Sequence, residues 1–341
     1  MASKGKIVVV IIHYNTPGFL KGCLQSVVSQ TYEDLDIIFI DNASPDRSGL
    51  DYMHAQFDGN PKLTIISNSD NKGYAKAANQ GIKMAIGRGA EFVSIVNPDI
   101  IFTPDYFEKI IEKMKKNSRA ASAIGKVYKY DFNNDKPTDI IDTTGLLAYK
   151  NRRVVDRGQG VIDEGKFNED EEVFGVSGAC PVYRIKALED VKIWDEYFDE
   201  DFFMYKEDVD LSWRFLLYGW KNLYLPEAVA YHGRGTGTGK KLSILDIIES
   251  RGALSKFQKK LSFQNQLLMV KKNDLWSNFF KNFHKIFPVM ILTPFYITFK
   301  EPYLWGSYLS YLKKLPRILR KRAVIMKNKK VTAKEMDKWF K

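Results

Sequence analysis

Three short stretches of the sequence hold side chains that could carry acid–base or metal chemistry. Asn97-Pro98-Asp99 interrupts an apolar run and puts an amide and a carboxylate on a rigid turn. Glu207-Asp208 opens a segment with helical periodicity, and His232 precedes a glycine-rich stretch. Divalent cations that handle diphosphates are held by few carboxylates, and a neutral imidazole is a reasonable extra ligand. Asp99 and His232 are therefore candidate metal ligands.

Each stretch also has a purely structural explanation. Asn, Pro and Asp all favour turns, and acidic residues in a first helical turn are stabilised by the helix dipole. Asp210 and Arg214 stand four residues apart and could simply pair on one helix face. However, Phe203, Tyr205 and Trp213 would desolvate a carboxylate in this segment, which raises its pKa and suits it to act as a base.

The first half of the sequence predicts the elements that would position these groups. Four apolar, β-branched runs, "KIVVVIIHYN", "LDIIFIDNAS", "KLTIISN" and "EFVSIVNPD", alternate with amphipathic helices. This alternation predicts a doubly wound, mostly parallel α/β sheet, in which ligands gather at the carboxyl ends of the strands. Polar clusters follow all four runs: Asn15-Thr16, Asp41-Asn42, 68–71 and Asn97-Pro98-Asp99. Four such clusters favour one shared site over four unrelated turns.

Two of these clusters suit a nucleotide. Asp41 could accept hydrogen bonds from the imide of a uracil or thymine ring or from a ribose hydroxyl, although an Asx-type cap would also place it there. Asn71, Lys72 and Gly73 stand at the start of a predicted helix, where free amides and the macrodipole attract phosphate. No P-loop motif is present, so this second signal is weak alone.

The remaining chain is predicted to be more mixed. Residues 131–137 read as an exposed loop, residues 138–185 as a mixed or antiparallel extension, and "EDVDLSWRFLLYGW" as a helix. The stretch "GRGTGTGKK" after His232 is a cationic glycine-rich loop, and Arg234, Lys240 and Lys241 in it could neutralise a diphosphate. From about Leu242 the sequence is helical, aromatic and basic.

Composition narrows the functional class. The chain has 341 residues and only two cysteines, Cys23 and Cys180, which indicates no disulfide framework and favours a reducing, cytoplasmic setting. Residues 1–239 carry 29 basic and 35 acidic side chains, a net −6, whereas residues 240–341 carry 23 and 6, a net +17. We therefore expect a catalytic domain at 1–240 and a cationic helical region at 241–341 that meets an anionic partner.

Taken together, the motifs resemble the inverting glycosyltransferases of family 2, which have the GT-A fold. The matching pieces, in order, are "IIHYN", "IDNASPD", "NKGYAKAANQG", "VNPD", "SGAC", "EDVDLSWR" and "YHGRGTG", spanning about residues 6–240. Within the family the likeness is greatest to bacterial rhamnosyltransferases of cell-surface polysaccharide synthesis, where N-P-D replaces the D-x-D of UDP-sugar enzymes. The resemblance thus implies dTDP-L-rhamnose as donor, with a UDP-hexose as the alternative.

The resemblance also implies roles for individual residues. Asp208 becomes the catalytic base, with Glu207 as the second choice, and Asp99 and His232 become ligands of Mg²⁺ or Mn²⁺. The nucleotide sugar would contact a further set of residues, which are Asn15, Asp41, Asn42, Asn71, Lys72, Gly73, Asn97, Asp99 and Arg234. The acceptor side would comprise Ser177, Gly178, Ala179 and Trp213.

The basic C-terminal region predicts a membrane-surface contact. It combines "LKKLPRILRKR" with the apolar stretch Ile286 to Phe299, which is too short and too proline-broken to span a bilayer. A lipid-linked or polysaccharide acceptor at the inner face of the cell membrane would explain a peripheral protein of this kind. One alternative is an ordinary helical subdomain, with possible homodimerisation through it. A different class of function would be nucleic-acid binding, which the many apolar and aromatic residues of this region disfavour. A nucleotidyltransferase is disfavoured because no glycine-rich loop follows the first strand.

Overall fold

The protein is described by a computed structural model that covers residues 5–233, 252 and 254–341. Its N-terminal half alternates strands and helices as the sequence predicts. These elements are β1 Ile7–His13, α1 Pro17–Val28, β2 Leu35–Asp41, α2 Ser48–Phe57, β3 Leu63–Ser67, α3 Tyr74–Gly87, β4 Phe92–Val96, β5 Ile100–Phe102 and α4 Tyr106–Lys116. Every residue of β1 and β4 is buried, because helices cover both faces of a parallel sheet.

The central part of the chain is richer in antiparallel strands. It comprises β6 Ala120–Asp131, β7 Lys136–Thr143, β8 Leu146–Ala148, β9 Val154–Asp156, β10 Glu171–Val173, β11 Val182–Arg184, α5 Ile185–Val191, a 3₁₀ turn Glu200–Phe202, α6 Glu207–Leu217 and β12 Lys221–His232. The loop predicted at 131–137 is the turn of the β6–β7 hairpin. The range also includes the last residue of β6, Asp131, and the first residues of β7, which starts at Lys136.

The main sheet is mixed. Its order is β10-β12-β6-β11-β4-β1-β2-β3, with β5 paired to β12 and β7 to β6. Strands β3, β2, β1 and β4 are mutually parallel, whereas β11 is inserted antiparallel between β4 and β6. The predicted α/β sheet is therefore confirmed, but it is mixed rather than mostly parallel, because β5, β7, β10 and β11 pair antiparallel with their neighbours. Gly81 lets α3 approach this sheet closely, since a Cβ at that position would lie 2.4 Å from Val10.

The C-terminal region is helical and packs on the sheet domain. Its elements are α7 Lys256–Asn273, α8 Trp276–Lys281, α9 Phe283–Lys300, a 3₁₀ turn Pro302–Leu304, α10 Trp305–Asn328 and α11 Ala333–Asp337. At the C-terminus, the Lys341 amide donates to the Ala148 carbonyl at 2.9 Å, and the Phe340 ring lies against Trp213. The predicted helical character is confirmed for the described residues of this region.

Candidate active site

The polar clusters at the strand ends lie along one edge of the sheet. In the parallel register His13 at the end of β1 is level with Asp41 at the end of β2, and Asp41 is level with Ser67 of β3. Asn97 follows β4, the other neighbour of β1. The prediction of a shared edge is confirmed, because adjacent parallel strands of this sheet end together.

Asp41 lies beneath this edge and is wholly buried. His13 Nδ1 donates to its Oδ1 at 2.9 Å, since His13 Nε2 accepts from the Thr16 amide at 3.3 Å. The Ser44 hydroxyl and amide donate to the two carboxylate oxygens at 2.5 and 3.2 Å. Sequence reasoning missed His13, although it stands at the same strand end. A nucleoside contact by Asp41 stays a prediction, and in this arrangement its oxygens serve His13 and Ser44.

Hydrogen bonds from backbone and side-chain amides connect the loops around Asp41. Asn15 adopts φ 54° and its amide donates to Ser44 Oγ at 2.9 Å. Asn42 Nδ2 donates to Asn71 Oδ1 at 3.0 Å, and the same oxygen accepts from the Gly73 amide at 2.9 Å. These contacts bring Asn15, Asn42 and Asn71 to one part of the edge, as predicted, and their contacts with a nucleotide remain predictions.

Gly73 caps α3 at the predicted helix start. Its φ is 95°, and a Cβ there would lie 2.6 Å from the Phe203 ring, so a glycine is required. The Ala75 amide in the first turn donates to the Phe203 carbonyl at 3.1 Å. One backbone amide of this helix N-terminus therefore already has a hydrogen-bond acceptor within the protein. Lys72 is half exposed and pairs with Asp70 at 3.2 Å.

Asp99 and His232 meet because β5 begins directly after the Asn97-Pro98-Asp99 turn and pairs with the end of β12. His232 is level with Ile100 in this antiparallel pair, and its Nε2 lies 3.3 Å from Asp99 Oδ1. Its Nδ1 lies 2.8 Å from Oδ2 of Asp142 on β7. Burial opposes protonation of the ring, but the hydrogen bonds and charges of Asp142 and Asp99 outweigh burial and raise the pKa of His232 to about 9.

The spacing of this pair fits two ligands of a divalent cation, provided that the ion displaces the Nε2 proton of His232. Two ligands at right angles, each about 2.1 Å from an octahedral ion, are about 3 Å apart, close to the separation of Nε2 and Oδ1 here. Asp142 supplies the carboxylate that normally orients a metal-bound histidine from behind. Within residues 5–233, 252 and 254–341, no set of three or more His, Cys, Asp or Glu side chains is arranged to hold a metal. Phosphate oxygens and water commonly complete the shell of such an ion. Arg234 lies outside the described residues.

Glu207 and Asp208 open α6 at the floor of a cavity of about 310 Å³. Asp208 Oδ2 accepts from the Gly178 amide and Oδ1 from the Val209 amide, both at 2.8 Å. Burial, followed by the charge of Asp156, raises the pKa of Asp208, and these two hydrogen bonds oppose the rise. Burial and the charge of Asp208 raise the pKa of Glu207 to about 8. The raised pKa favours the neutral form of Glu207, whereas Asp208 has donors that favour its charged form.

The Asp208 cavity is joined to the Asn97-Pro98-Asp99 turn. Asn97 lines it, and the Asn97 amide donates to the Ala179 carbonyl at 3.0 Å. Ser177, Gly178 and Ala179 also line this cavity, and their place on the acceptor side stays a prediction. Sequence reasoning missed further lining residues from three elements, which include Tyr74, Asp156 and Ser262. No pattern marks Asp156 or Ser262, because they enter from β9 and α7 only through tertiary packing.

The prediction for Trp213 is wrong. Trp213 is fully buried, packs edge-on against Phe174 and Phe340, and does not line the cavity. It stands five residues after Asp208, which at about 100° per residue turns it about 140° away on the helix. Tyr205 does line the cavity, and Phe203 packs on Gly73 and Phe257. The predicted Asp210–Arg214 pair is confirmed at 3.1 Å, fully buried.

A strained loop presents the two carboxylates. Phe203, Tyr205 and Lys206 all have positive φ, at 62°, 71° and 70°. Helix α7 holds this loop, because Asn265 Nδ2 lies 2.8 Å from each of the carbonyl oxygens of Phe202, Met204 and Tyr205. The C-terminal region therefore contributes directly to the shape of the site.

Comparison with solved structures defines the fold class. The chain superposes on GalNAc-T7, solved with UDP, GalNAc and Mn²⁺, with a TM-score of 0.60 at 12% identity over 80% of this chain and 48% of that one. It superposes on the mannosyltransferase PcManGT of Pyrobaculum calidifontis, in complex with GDP-Man and Mn²⁺, with a TM-score of 0.53 at 13% identity over 93% and 76%. At these identities the likeness concerns the fold alone, which is of the GT-A class.

Sequence comparison identifies the family. The model of glycosyl transferase family 2 matches residues 8–192, more than half of the chain. The chain belongs to glycosyl transferase family 2, which confirms the resemblance found in its motifs.

Three relatives illustrate the range of the family. The chain is 29% identical over 228 residues to an N-acetylglucosaminyltransferase of Mesorhizobium japonicum, covering 65% of this chain and 50% of that protein. It is 26% identical over 219 residues to the poly-beta-1,6-N-acetyl-D-glucosamine synthase of Staphylococcus epidermidis, covering 64% and 47%. It is 26% identical over 250 residues to the N-acetylglucosaminyl-diphospho-decaprenol L-rhamnosyltransferase of Mycobacterium tuberculosis, covering 68% and 77%. The chain spans about half the length of the first two of these curated relatives.

Proposed function

We propose that the protein is an inverting glycosyltransferase that moves a sugar from a nucleotide diphosphate to an acceptor hydroxyl. The observation that carries this proposal is the position of Asp208. Its carboxylate is held by two amides at the floor of a cavity whose wall is hydrogen-bonded to the Asn97-Pro98-Asp99 turn. Asp208 and Asn97 thus line one space that is large enough for a sugar, as a base and a diphosphate-binding turn would need to do.

In this mechanism Asp208 takes the proton of the acceptor hydroxyl. The acceptor oxygen forms a bond to the anomeric carbon from the side opposite the nucleotide, the bond from that carbon to the diphosphate oxygen breaks, and its electron pair leaves with the diphosphate. A single displacement inverts the anomeric centre. The raised pKa of Asp208 makes it a stronger base than a solvated carboxylate, whereas the neutral Glu207 is the weaker candidate.

The leaving diphosphate would be stabilised by a metal and by nearby cations. Asp99 and His232 would hold Mg²⁺ or Mn²⁺, which supplies Lewis-acid stabilisation of the charge on the diphosphate. The Mn²⁺ in both solved relatives supports a divalent ion. Lys72, Arg234 and the polar edge around Asn15, Asn42 and Asn71 would bind the nucleotide part of the donor.

The base assignment is tested by Asp208→Asn. The amide keeps the size of the side chain and can accept from one of the Gly178 and Val209 amides, which bond different oxygens of Asp208, but it cannot take the proton, so kcat should fall about 10²–10⁴-fold. Asp156→Asn, in the same cavity, serves as the matched control and should keep most of the activity. Near-normal turnover of a folded Asp208→Asn protein would contradict the assignment.

We propose dTDP-L-rhamnose as the donor, with a UDP-hexose as the alternative. The N-P-D turn and the rhamnosyltransferase among the relatives support rhamnose, and the two N-acetylglucosamine enzymes support the alternative. Thermal shifts with dTDP-rhamnose, UDP-glucose, UDP-galactose and UDP-GlcNAc, each with and without Mg²⁺ or Mn²⁺, would discriminate. A metal-dependent shift with UDP-GlcNAc and none with dTDP-rhamnose would overturn the first choice.

We further propose that helices α8–α10 dock on the inner face of the cell membrane. None of the described helices is long and apolar enough to cross a membrane. However, α9 buries only Ile286 and Ile297 of its 18 residues. The apolar face of α8–α10 comprises exposed large side chains, which are Trp276, Phe280, Phe283, Phe287, Val289, Met290, Ile291, Leu292, Phe295, Tyr296, Phe299, Trp305, Tyr308, Leu309, Leu312 and Leu319. Such a face with flanking lysines suits an interfacial helix, and docking through it would bring the site near a lipid-linked acceptor.

Vesicle binding tests this docking. Each lysine or arginine near an anionic surface contributes about 1 kcal/mol, so sedimentation with anionic vesicles should weaken as salt is added. Leu292→Glu, at a side chain 64% exposed on the apolar face, should lower binding without affecting folding. Equal binding to neutral vesicles at all salt concentrations would contradict the charge argument. A stable dimer with no vesicle binding would assign the face to a second copy instead.

A further inference from the structure

A second cavity lies close to the Asp208 cavity along α7. The Asp208 cavity is bounded by Ser262 of α7 and by β9, whereas the second cavity is bounded by Gln266 and Val270 of α7 and by the turn before β9. Ser262, Gln266 and Val270 are four residues apart and therefore share one helix face. The eight residues from Ser262 to Val270 correspond to about 12 Å along the helix. The two cavities thus have neighbouring walls and a short, defined separation.

The second cavity, which we call the α7–α9 cleft, is apolar. Its volume is about 310 Å³, and Val270, Phe279, Ile286, Val289 and Met290 supply much of its lining. This is the lower end of the size range of sites for organic ligands. Val289 and Met290 are about half exposed and also belong to the apolar face of α8–α10. The cleft is therefore continuous with the surface that we expect to meet the membrane.

The lining of the cleft has a net positive charge, because its Asp274 carboxylate is paired with Arg152 and two further cations remain. Lys271 Nζ and the Arg322 guanidinium lie 4.9 and 5.3 Å from the centre of the Trp276 ring, and all three side chains line the cleft. Arg322 is fixed by donating to the Lys271 and Lys272 carbonyls at 3.1 and 3.2 Å. An apolar interior with a positive margin is complementary to a hydrocarbon chain that ends in an anionic group.

We propose that the α7–α9 cleft binds the hydrocarbon chain of a lipid-phosphate carrier to which the acceptor sugar is attached. The phosphate would lie against Lys271 and Arg322, and the sugar would reach the Asp208 cavity along α7. This proposal rests on the proposed glycosyltransferase function and names the chemical class of its acceptor. Bulk membrane lipid is the competing occupant, but it gives no reason for the cleft to lie so near the Asp208 cavity.

Two variants of α9 separate the cleft from the membrane-facing surface. Met290 is 52% exposed and lines the cleft, whereas Leu292 is 64% exposed on the same helix and does not. Met290→Glu places a carboxylate where the chain would bind, and Leu292→Glu places the same charge outside. Both changes are at exposed positions, so the fold should persist, and both should weaken vesicle binding alike.

The probe is farnesyl phosphate, titrated into the full chain below its micellar concentration and followed by calorimetry. We expect wild-type binding, a loss of about tenfold or more in Met290→Glu, and less than about twofold in Leu292→Glu, because burying an unpaired charge is costly. Inorganic phosphate should bind far more weakly than farnesyl phosphate. The proposal is overturned if farnesyl phosphate does not bind, if both variants lose affinity equally, or if inorganic phosphate binds as tightly.

This readout needs neither donor nor turnover, so it is independent of the proposed function. If farnesyl phosphate fails to bind while Asp208→Asn abolishes sugar transfer, the cleft proposal fails and the glycosyltransferase function stands. If the cleft binds the probe as expected but Asp208→Asn retains normal turnover, the catalytic assignment fails and the cleft remains a binding site for a lipid phosphate.

Discussion

Replacing Asn265 by alanine should lower kcat by more than the accompanying loss of folding stability can account for. The Asn265 amide nitrogen is the donor that α7 offers to three carbonyls of the loop before Glu207 and Asp208. That loop holds three non-glycine residues at positive φ, each of which carries about 1–3 kcal/mol of strain. Without these hydrogen bonds, the loop loses part of the stabilisation that keeps its backbone in this strained conformation.

The expected magnitude follows from the burial of this contact. Asn265 is fully buried, and carbonyls left without a donor in such a place cost about 1–3 kcal/mol. Other contacts still hold the loop, including the Ala75 amide on Phe203 and Gln258 on the Tyr205 hydroxyl. We therefore expect a folded variant with a free energy of unfolding lower by about 1–3 kcal/mol. Because a misplacement of about 1 Å can cost 10²-fold in rate, kcat should fall about 10–100-fold.

The assay is steady-state kinetics with denaturant unfolding measured in parallel. The donor KM should change little, since the Asn97-Pro98-Asp99 turn does not contact Asn265. Asn265→Leu keeps a side chain of similar size without the donor and should behave like alanine. Ile325→Ala, buried in α10 away from the loop, should cost about 2–5 kcal/mol yet leave kcat near normal. If kcat fell equally in Ile325→Ala, or stayed normal in Asn265→Ala, the loop would not depend on this amide.

Two further predictions concern the buried carboxylates. The folded pKa of Glu207, about 8, lies above its ordinary value of 4.5, so the stability contributed by its protonated form is complete below about pH 4.5 and is lost as the pH rises to about 8. Glu207→Gln should therefore raise Tm at pH 8 much more than at pH 5, and an equal shift at both would refute this. Asp142→Asn should weaken Mn²⁺ binding about tenfold in the presence of nucleotide, measured by the EPR signal of free Mn²⁺, because the amide orients His232 less firmly. The exposed Asp139→Asn on the same strand is its control and should bind Mn²⁺ normally.

The sequence predicted those parts of the site that are local to one strand or helix. An apolar run that ends in a polar residue marks the edge of a parallel sheet, and this placed Asp41, Asn71 and Asn97 correctly on one edge. Asp99 and His232 were brought together through the family motifs. The physical cause is visible only in the fold, where β5 starts right after the turn and pairs with the end of β12.

The parts that the sequence did not predict depend on how elements are oriented in three dimensions. Trp213 belongs to the correct helix but to its opposite side, because hydrophobic periodicity identifies a buried face without saying which cavity that face adjoins. Asp156 enters from a three-residue strand that has no periodicity of its own. Ser262 and Asn265 lie in α7, where the sequence pattern predicts a helix but no role for either side chain. Their roles arise because the helix packs against a loop some sixty residues earlier in the chain.

Some basic side chains of the C-terminal region form buried ion pairs with the sheet domain, which the composition alone could not predict. Lys272 pairs with Asp199 and Asp210, and Lys321 pairs with Asp199 and Asp201, all of them largely buried between α7, α10 and the sheet domain. Some of the net +17 is therefore matched to the acidic body of residues 1–239, whose net charge is −6. Breaking a buried pair by removing one partner costs about 3–5 kcal/mol, because the other charge is left uncompensated. Since Asp210 lies one turn into the helix that Glu207 and Asp208 open, separating residues 241–341 from residues 1–240 should disturb the proposed active site as well as the proposed membrane contact.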